Sequence, residues 1–276
     1  MNDFLKRTLS GIIFLALMVA GMLLHPAAFG VLFLVVLYMA MKEFLHITMG
    51  ERRRLQQRLA MLAGAAAYIL SVGICFYGIE FKWLAVVIPL VFLIPLSELL
   101  AASHEGVEDL AYAFLSIVYI AFPLCLAPFI VSAGGDFRGY VLLNFFIIIW
   151  CADVGSYGIG TLFGQKPTSR KLAPSISPKK SWWGFWGGIF MGVAGAFVLY
   201  LVGWLEYPLV HCLVLGAVIP AAGVCGDLFE SLWKRRFGFK DSGNCIPGHG
   251  GMLDRFDSSL FAIPAAFAYL TLFGLL

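Results

Sequence analysis

An all-α, polytopic integral membrane protein with about nine transmembrane helices is the fold class that follows from composition, the spacing of apolar runs and the placement of basic residues. Of 276 residues, 61% are apolar and 13% charged, and the mean hydropathy is +0.90. Soluble domains carry roughly 25% charged and 45–50% apolar residues, so a soluble globular domain is excluded. Disorder is excluded by the apolar content, and six cysteines are too few for a disulfide scaffold.

A bilayer core about 30 Å thick needs about 20 apolar residues in a helix. Nine runs approach that length: Thr8 to Leu24, Ala27 to Met41, Leu59 to Ile79, Trp83 to Leu99, Ala111 to Ala133, Tyr140 to Phe163, Gly184 to Leu205, Leu209 to Trp233 and Ser258 to Leu276. The first follows Lys6-Arg7 without a small-x-small cleavage site before the next run, which reads as a retained signal anchor. Nine spans place the N-terminus and the loops after spans 2, 4, 6 and 8 on one side. That side holds 17 of the 19 Lys and Arg residues, and the other only Lys82 and Arg138. The positive-inside rule then orients the chain N-in and C-out. A grouping into 1–135 (spans 1 to 5) and 136–276 (spans 6 to 9 with two large inner loops) follows.

The inner loops Gly164 to Trp183 and Lys234 to Asp257 hold ten of the basic residues. A net charge of +3, scattered over loops, excludes nucleic acid as a partner. Lys166, Arg170 and Lys171 are readable as topogenic charges alone; the neighbouring acids are not. An ionised residue deep in a span costs about 2.5–3.5 kcal/mol, which marks Asp153 in span 6 as functional. Asp227 and Glu230 share a face near the inner end of span 8, with Ser231 four residues from Asp227. Asp254 and Asp257 repeat that spacing at the start of span 9. Spans 6 and 8 end inward and span 9 begins inward, so the acids converge on the cytoplasmic side. Carboxylates beside Lys, Arg and a glycine-rich backbone suit Mg²⁺ and polyphosphate. His249 in Pro247-Gly248-His249-Gly250-Gly251 is expected to contact phosphate or shape the loop, because no Ser or Cys nucleophile accompanies it.

The run from Ser231 to Asp257, SLWKRRFGFKDSGNCIPGHGGMLDRFD, resembles the signature of the phosphatidate cytidylyltransferases, or CDP-diacylglycerol synthases. Asp153 with Gly155-Ser156-Tyr157, Ile176-Ser177-Pro178-Lys179-Lys180-Ser181, and Gly226-Asp227 through Glu230-Ser231 resemble the family's other cytoplasmic motifs. The resemblance implies CTP and phosphatidic acid as substrates, pyrophosphate as the leaving product, Mg²⁺ with room for a second cation, and a multi-pass protein of a bacterial-type inner membrane, with a homodimer among the expectations. It implies Asp227 and Asp254 as metal ligands, joined by Asp153, with Asp257 as a further ligand or support. Lys240, Asp241, His249 and Arg255 complete the expected catalytic set. Ser177, Lys179, Lys180, Ser181, Gly250 and Gly251 are expected to hold substrate phosphate, and Lys240 to have a fixed partner beside Asp241. Two other readings share features: a CTP-dependent lipid kinase of the polyprenol type, and an ion-coupled secondary transporter, which would use intramembrane acids but leaves the signature loop unexplained.

Overall fold

A computed structural model describes residues 3–100, 107–245 and 250–276, with side chains from residue 8 in the first stretch and from 108 in the second. Helical segments lie over most of each predicted run. In chain order these are α1 (Asp3–Leu23), α2 (Pro26–Met49), α3 (Arg54–Tyr77), α4 (Val87–Leu100, after a 3₁₀ turn Phe81–Val86), α5 (Val107–Ser116) joined by a π turn Ile117–Ala121 to α6 (Phe122–Val131), α7 (Gly139–Phe163), α8 (Trp182–Leu201), α9 (Leu209–Arg236) and α10 (Leu253–Leu272). Among the described residues, seven helical segments are long and apolar enough to cross a membrane: Pro26–Met49, Arg54–Tyr77, Phe81–Leu100, Glu108–Val131, Gly139–Phe163, Trp182–Leu201 and Leu209–Arg236. The protein is a multi-pass membrane protein.

The purely helical expectation needs one correction. The loop after α7 carries a two-stranded antiparallel hairpin, β1 (Lys171–Ala173) and β2 (Ser177–Ser181), pairing Lys171 with Ser181 and Ala173 with Ser177. Pro174 and Pro178 keep this segment out of a helix, while the end of α7 anchors it. Lys171 Nζ donates to the Gly164 carbonyl (2.9 Å) and Gln165 Oε1 (3.0 Å), and Gln165 Nε2 donates to the Lys179 carbonyl at 2.9 Å.

The chain forms two compact units. One comprises Met1–Phe137 with Phe237–Arg255, the other Arg138–Arg236 with Phe256–Leu276. The segment Phe237–Arg255, grouped from the sequence with the C-terminal helices, thus packs with the N-terminal ones. In the first unit, α2 buries Phe29, Phe33, Leu37 and Met41 at four-residue intervals, one continuous apolar face. Its turn into α3 is tied down by charge: Arg53 Nη2 lies 2.9 Å from Glu98 Oε1, Gln56 Nε2 donates to Glu98 Oε2 at 3.0 Å, and Arg52 pairs with Asp109 at 3.2 Å.

Glycine seams hold the second unit together. A Cβ at Gly155 of α7 would lie 2.5 Å from the Gly187 carbonyl of α8, and one at Gly226 of α9 would lie 2.3 Å from the Asp257 carbonyl of α10. Small residues let membrane helices approach until backbones touch, which replaces the hydrophobic drive that lipid cannot supply.

Candidate active site

In the second unit, the close α7–α8–α9 packing leaves a cavity of about 600 Å³, bounded also by the hairpin. Its walls are largely apolar, with Ile149, Phe185, Ile189, Pro220 and Val224 among them. The polar groups include Asp153, Ser156, Thr161, Gln165, Lys179, Lys180, Asp227 and Ser258. Pockets of this kind orient a ligand with a few polar groups while apolar walls exclude water.

Each polar group is placed by a local device. Lys180 precedes Ser181, the last residue of β2 and also the N-cap of α8, whose Oγ accepts from the Gly184 N–H at 3.2 Å. The expected phosphate contact Ser181 is therefore a buried cap, 3% exposed. Lys180 Nζ forms an ion pair with Asp227 Oδ2, and Ser231 Oγ approaches Asp227 Oδ1 at 3.4 Å. Asp153 of α7 lies close enough to feel the charges of Asp227 and Lys180, and Asp257 of α10 those of Asp227, Lys180 and Lys234. Asp257 Oδ1 also accepts the Ser258 N–H at 2.5 Å. Glu230, 1% exposed, pairs with Lys234 at 2.6 Å. The structure thus brings Asp153, Lys179, Lys180 and Asp227 to one cavity.

The signature loop belongs to the first unit, and its organising residue escaped the sequence reading. Glu43, near the C-terminal end of α2, accepts the backbone N–H groups of Met252 (Oε1, 2.9 Å) and Leu253 (Oε2, 2.8 Å). Asp254 Oδ2 accepts the N–H groups of Ser242 (2.9 Å) and Gly251 (2.8 Å) and the Ser242 hydroxyl (2.8 Å). The Asp254 N–H in turn donates to Ser242 Oγ at 3.2 Å. Four successive N–H groups, from Gly251 to Asp254, therefore all have side-chain acceptors, which is what a helix start requires. Hence α10 begins at Leu253, five residues before the predicted span. Gly250 has φ +87, a conformation glycine adopts at no steric cost. Asp254, expected as a metal ligand, has one oxygen occupied by three loop donors.

Other expectations fare differently. Lys240 and Asp241 are exposed and form no ion pair or hydrogen bond among the described residues, so the expected fixed partner of Lys240 is absent there. Lys171, expected as a loop charge, is the lysine with fixed partners. Arg255 is exposed, Ser177 sits at the start of β2, and His249 lies outside the described residues. Near Glu43, burial and the neighbouring carboxylate push the Cys245 thiol up to about 11. Only one signal in the sequence pointed to Glu43: an acid near the end of an apolar run whose helix continues through Phe44, Leu45 and Ile47.

Among the described residues, no three His, Cys, Asp or Glu side chains are arranged to hold a metal ion. The donor set still suits Mg²⁺, which takes one or two protein carboxylates and fills its remaining positions from substrate phosphate and water.

The model of the cytidylyltransferase family matches residues 5–273. The chain is similar to proteins named phosphatidate cytidylyltransferase: one from Staphylococcus haemolyticus, 30% identical over 259 residues covering 94% of this chain and 95% of the relative; one from Bacillus subtilis, 38% identical over 168 residues, 60% of each chain; and one from Haemophilus influenzae, 43% identical over 142 residues, 49% of this chain and 47% of the relative.

Proposed function

The chain belongs to the cytidylyltransferase family, and from that premise we propose that it transfers the cytidylyl group of CTP to phosphatidic acid, giving CDP-diacylglycerol and pyrophosphate. The relative aligned over 95% of its own length, named for that reaction, carries the proposal. The helices are read as nine spans, with α5 and α6 forming one, N-in and C-out, in a bacterial inner membrane, which would set the acids on the cytoplasmic side where CTP is found.

In this reaction an unesterified oxygen of the lipid phosphate attacks the α-phosphorus of CTP. A new P–O bond forms, the α–β anhydride bond breaks, and the electron pair leaves with pyrophosphate. The attacking oxygen is already deprotonated at neutral pH, so positioning and charge neutralisation are what the protein must supply. Lys180 and Lys179 are read as holding phosphate oxygens at the cavity. Asp227, with Asp153 beside it, would hold Mg²⁺, and Ser231 orients Asp227. Bound there, Mg²⁺ would neutralise phosphate charge and favour departure of pyrophosphate. Lys240, Arg255, Gly250 and Gly251 are read as phosphate contacts of the signature loop. The apolar part of the cavity wall suits the glycerol and first acyl carbons of the lipid, and its polar end the headgroup.

Purified protein in mixed micelles with phosphatidic acid and CTP labelled at either the α- or the γ-phosphorus tests the proposal. Label from the α-position in the lipid supports it. Label from the γ-position would identify a lipid kinase, and absence of both would overturn nucleotide transfer.

A further inference from the structure

The signature loop is held by a residue from the far end of the sequence, and the manner of holding is specific. Glu43 uses both carboxylate oxygens, Oε1 for the Met252 N–H and Oε2 for the Leu253 N–H, and Ser242 Oγ, whose proton goes to the nearer Asp254 Oδ2, lies 3.2 Å from Oε2. The loop is shaped around this side chain. A Cβ at Gly243 would lie 2.5 Å from Glu43 Oε1, and one at Gly251 2.5 Å from Glu43 Oε2. Two glycines therefore let backbone close around the carboxylate from two sides. A carboxylate accepting several N–H bonds in a partly desolvated place makes strong hydrogen bonds, and removing it leaves those donors unpaired.

We propose that Glu43 is a positioning residue for the nucleotide: it holds the signature loop at Met252 and Leu253, with Ser242 beside them, so that the loop meets the phosphates of CTP without having to order itself first. The inference rests on reading this loop as a phosphate-binding element, and it gives the N-terminal helices a part in the reaction. Glu43 touches no reacting atom. Its contribution is paid in advance as loop order, so its loss falls on CTP affinity rather than on the chemical step.

Glu43→Gln keeps the size but offers one acceptor oxygen and an NH₂ group, so it cannot accept from Met252 and Leu253 as Glu43 does. In membranes, the KM for CTP should rise about tenfold or more with kcat changed less than about threefold. The peptide-resolved alkylation rate of Cys245 should rise alongside, because the thiol sits in the same loop. Gly243→Ala, which displaces Glu43 by pressing on its carboxylate, should reproduce both effects with the acid retained, and it serves as the second variant should Glu43→Gln accumulate poorly. Loss of the Glu43 charge by itself raises the Cys245 thiolate fraction, so the anchoring is judged on Gly243→Ala, which keeps the acid: unchanged alkylation of Cys245 there would overturn it. Faster alkylation with an unchanged KM would reduce Glu43 to a structural acid and overturn the positioning role. Failure of the wild type to transfer α-label would instead count against the proposed reaction, while the alkylation rates would still report on the anchor.

Discussion

Lys180 and Asp227 form an ion pair that joins the hairpin to α9, with side chains 26% and 37% exposed. Both residues line the cavity, with Lys180 Nζ itself buried, and the pair places the proposed phosphate group and the proposed metal ligand in direct contact. A cation bound by Asp227 must compete with the Lys180 ammonium, so each influences the other's partner.

Asp227→Asn should therefore lower turnover by about 100-fold or more, because a neutral amide is a poor Mg²⁺ ligand. Lys180→Gln should also lose turnover, yet bind a divalent cation more tightly, since the competing positive charge is gone. Mn²⁺ titration followed by electron paramagnetic resonance checks both. Weaker Mn²⁺ binding by Lys180→Gln would contradict the competition.

The glycine seams predict stability differences of opposite sign. Gly226→Ala forces a methyl group against the Asp257 carbonyl and should cost about 1–3 kcal/mol through overpacking. Gly158→Ala, in α7 with open space around the new Cβ, should be neutral or stabilising by up to about 1 kcal/mol. Thermal unfolding in detergent should order the variants Gly158→Ala, wild type, Gly226→Ala, from most to least stable.

Arg53 has φ +52 and pairs with the buried Glu98. Arg53→Ala loses the pair and keeps the strained backbone, whereas Arg53→Gly loses the pair and relieves the strain. Arg53→Gly should be the more stable of the two by about 1 kcal/mol, the usual cost of a left-handed conformation for a residue with a Cβ. Equal unfolding temperatures would show that the ion pair alone matters at this turn.

Cys245 should react slowly with maleimide at neutral pH and speed up about tenfold per pH unit, since only the thiolate attacks. Its value of about 11 places the plateau well above that of an ordinary free thiol. Because the Glu43 charge opposes thiolate formation, Glu43→Gln should move the whole curve to lower pH. Quantifying the Cys245 peptide by mass spectrometry from pH 7 to 10 gives the curve; a plateau near pH 8.5 in the wild type would contradict it.

The helices were legible because the bilayer imposes a length and a composition on every crossing, and these are local properties of the chain. Asp153 and Asp227 were legible for a related reason: charge in an apolar run is expensive enough to demand a purpose. The start of α10 was not legible, because its N–H groups are satisfied by Glu43, about 200 residues away in the sequence, and by Asp254. The hairpin was hidden in a polar stretch with no alternating pattern, its strands being only three and five residues long. Lys171 and Lys240 look alike as letters, and only the fold shows Lys171 tied to the end of α7 and Lys240 exposed.

Strand β2 runs into helix α8 with no residue between them, so parity governs this corner of the protein. Successive side chains along a strand face opposite ways, and Lys180 meets Asp227 because it stands one place before the cap. One residue inserted ahead of Ser181 would shift this phase and offer Asp227 a different side chain, with both lysines still present and the net charge unchanged. Chain length between the prolines and the cap is thus under as tight a constraint as the lysines themselves. Two inserted residues would restore the facing but carry Lys180 about 7 Å further along the strand, so a survey of insertions here would find neither length sparing the ion pair.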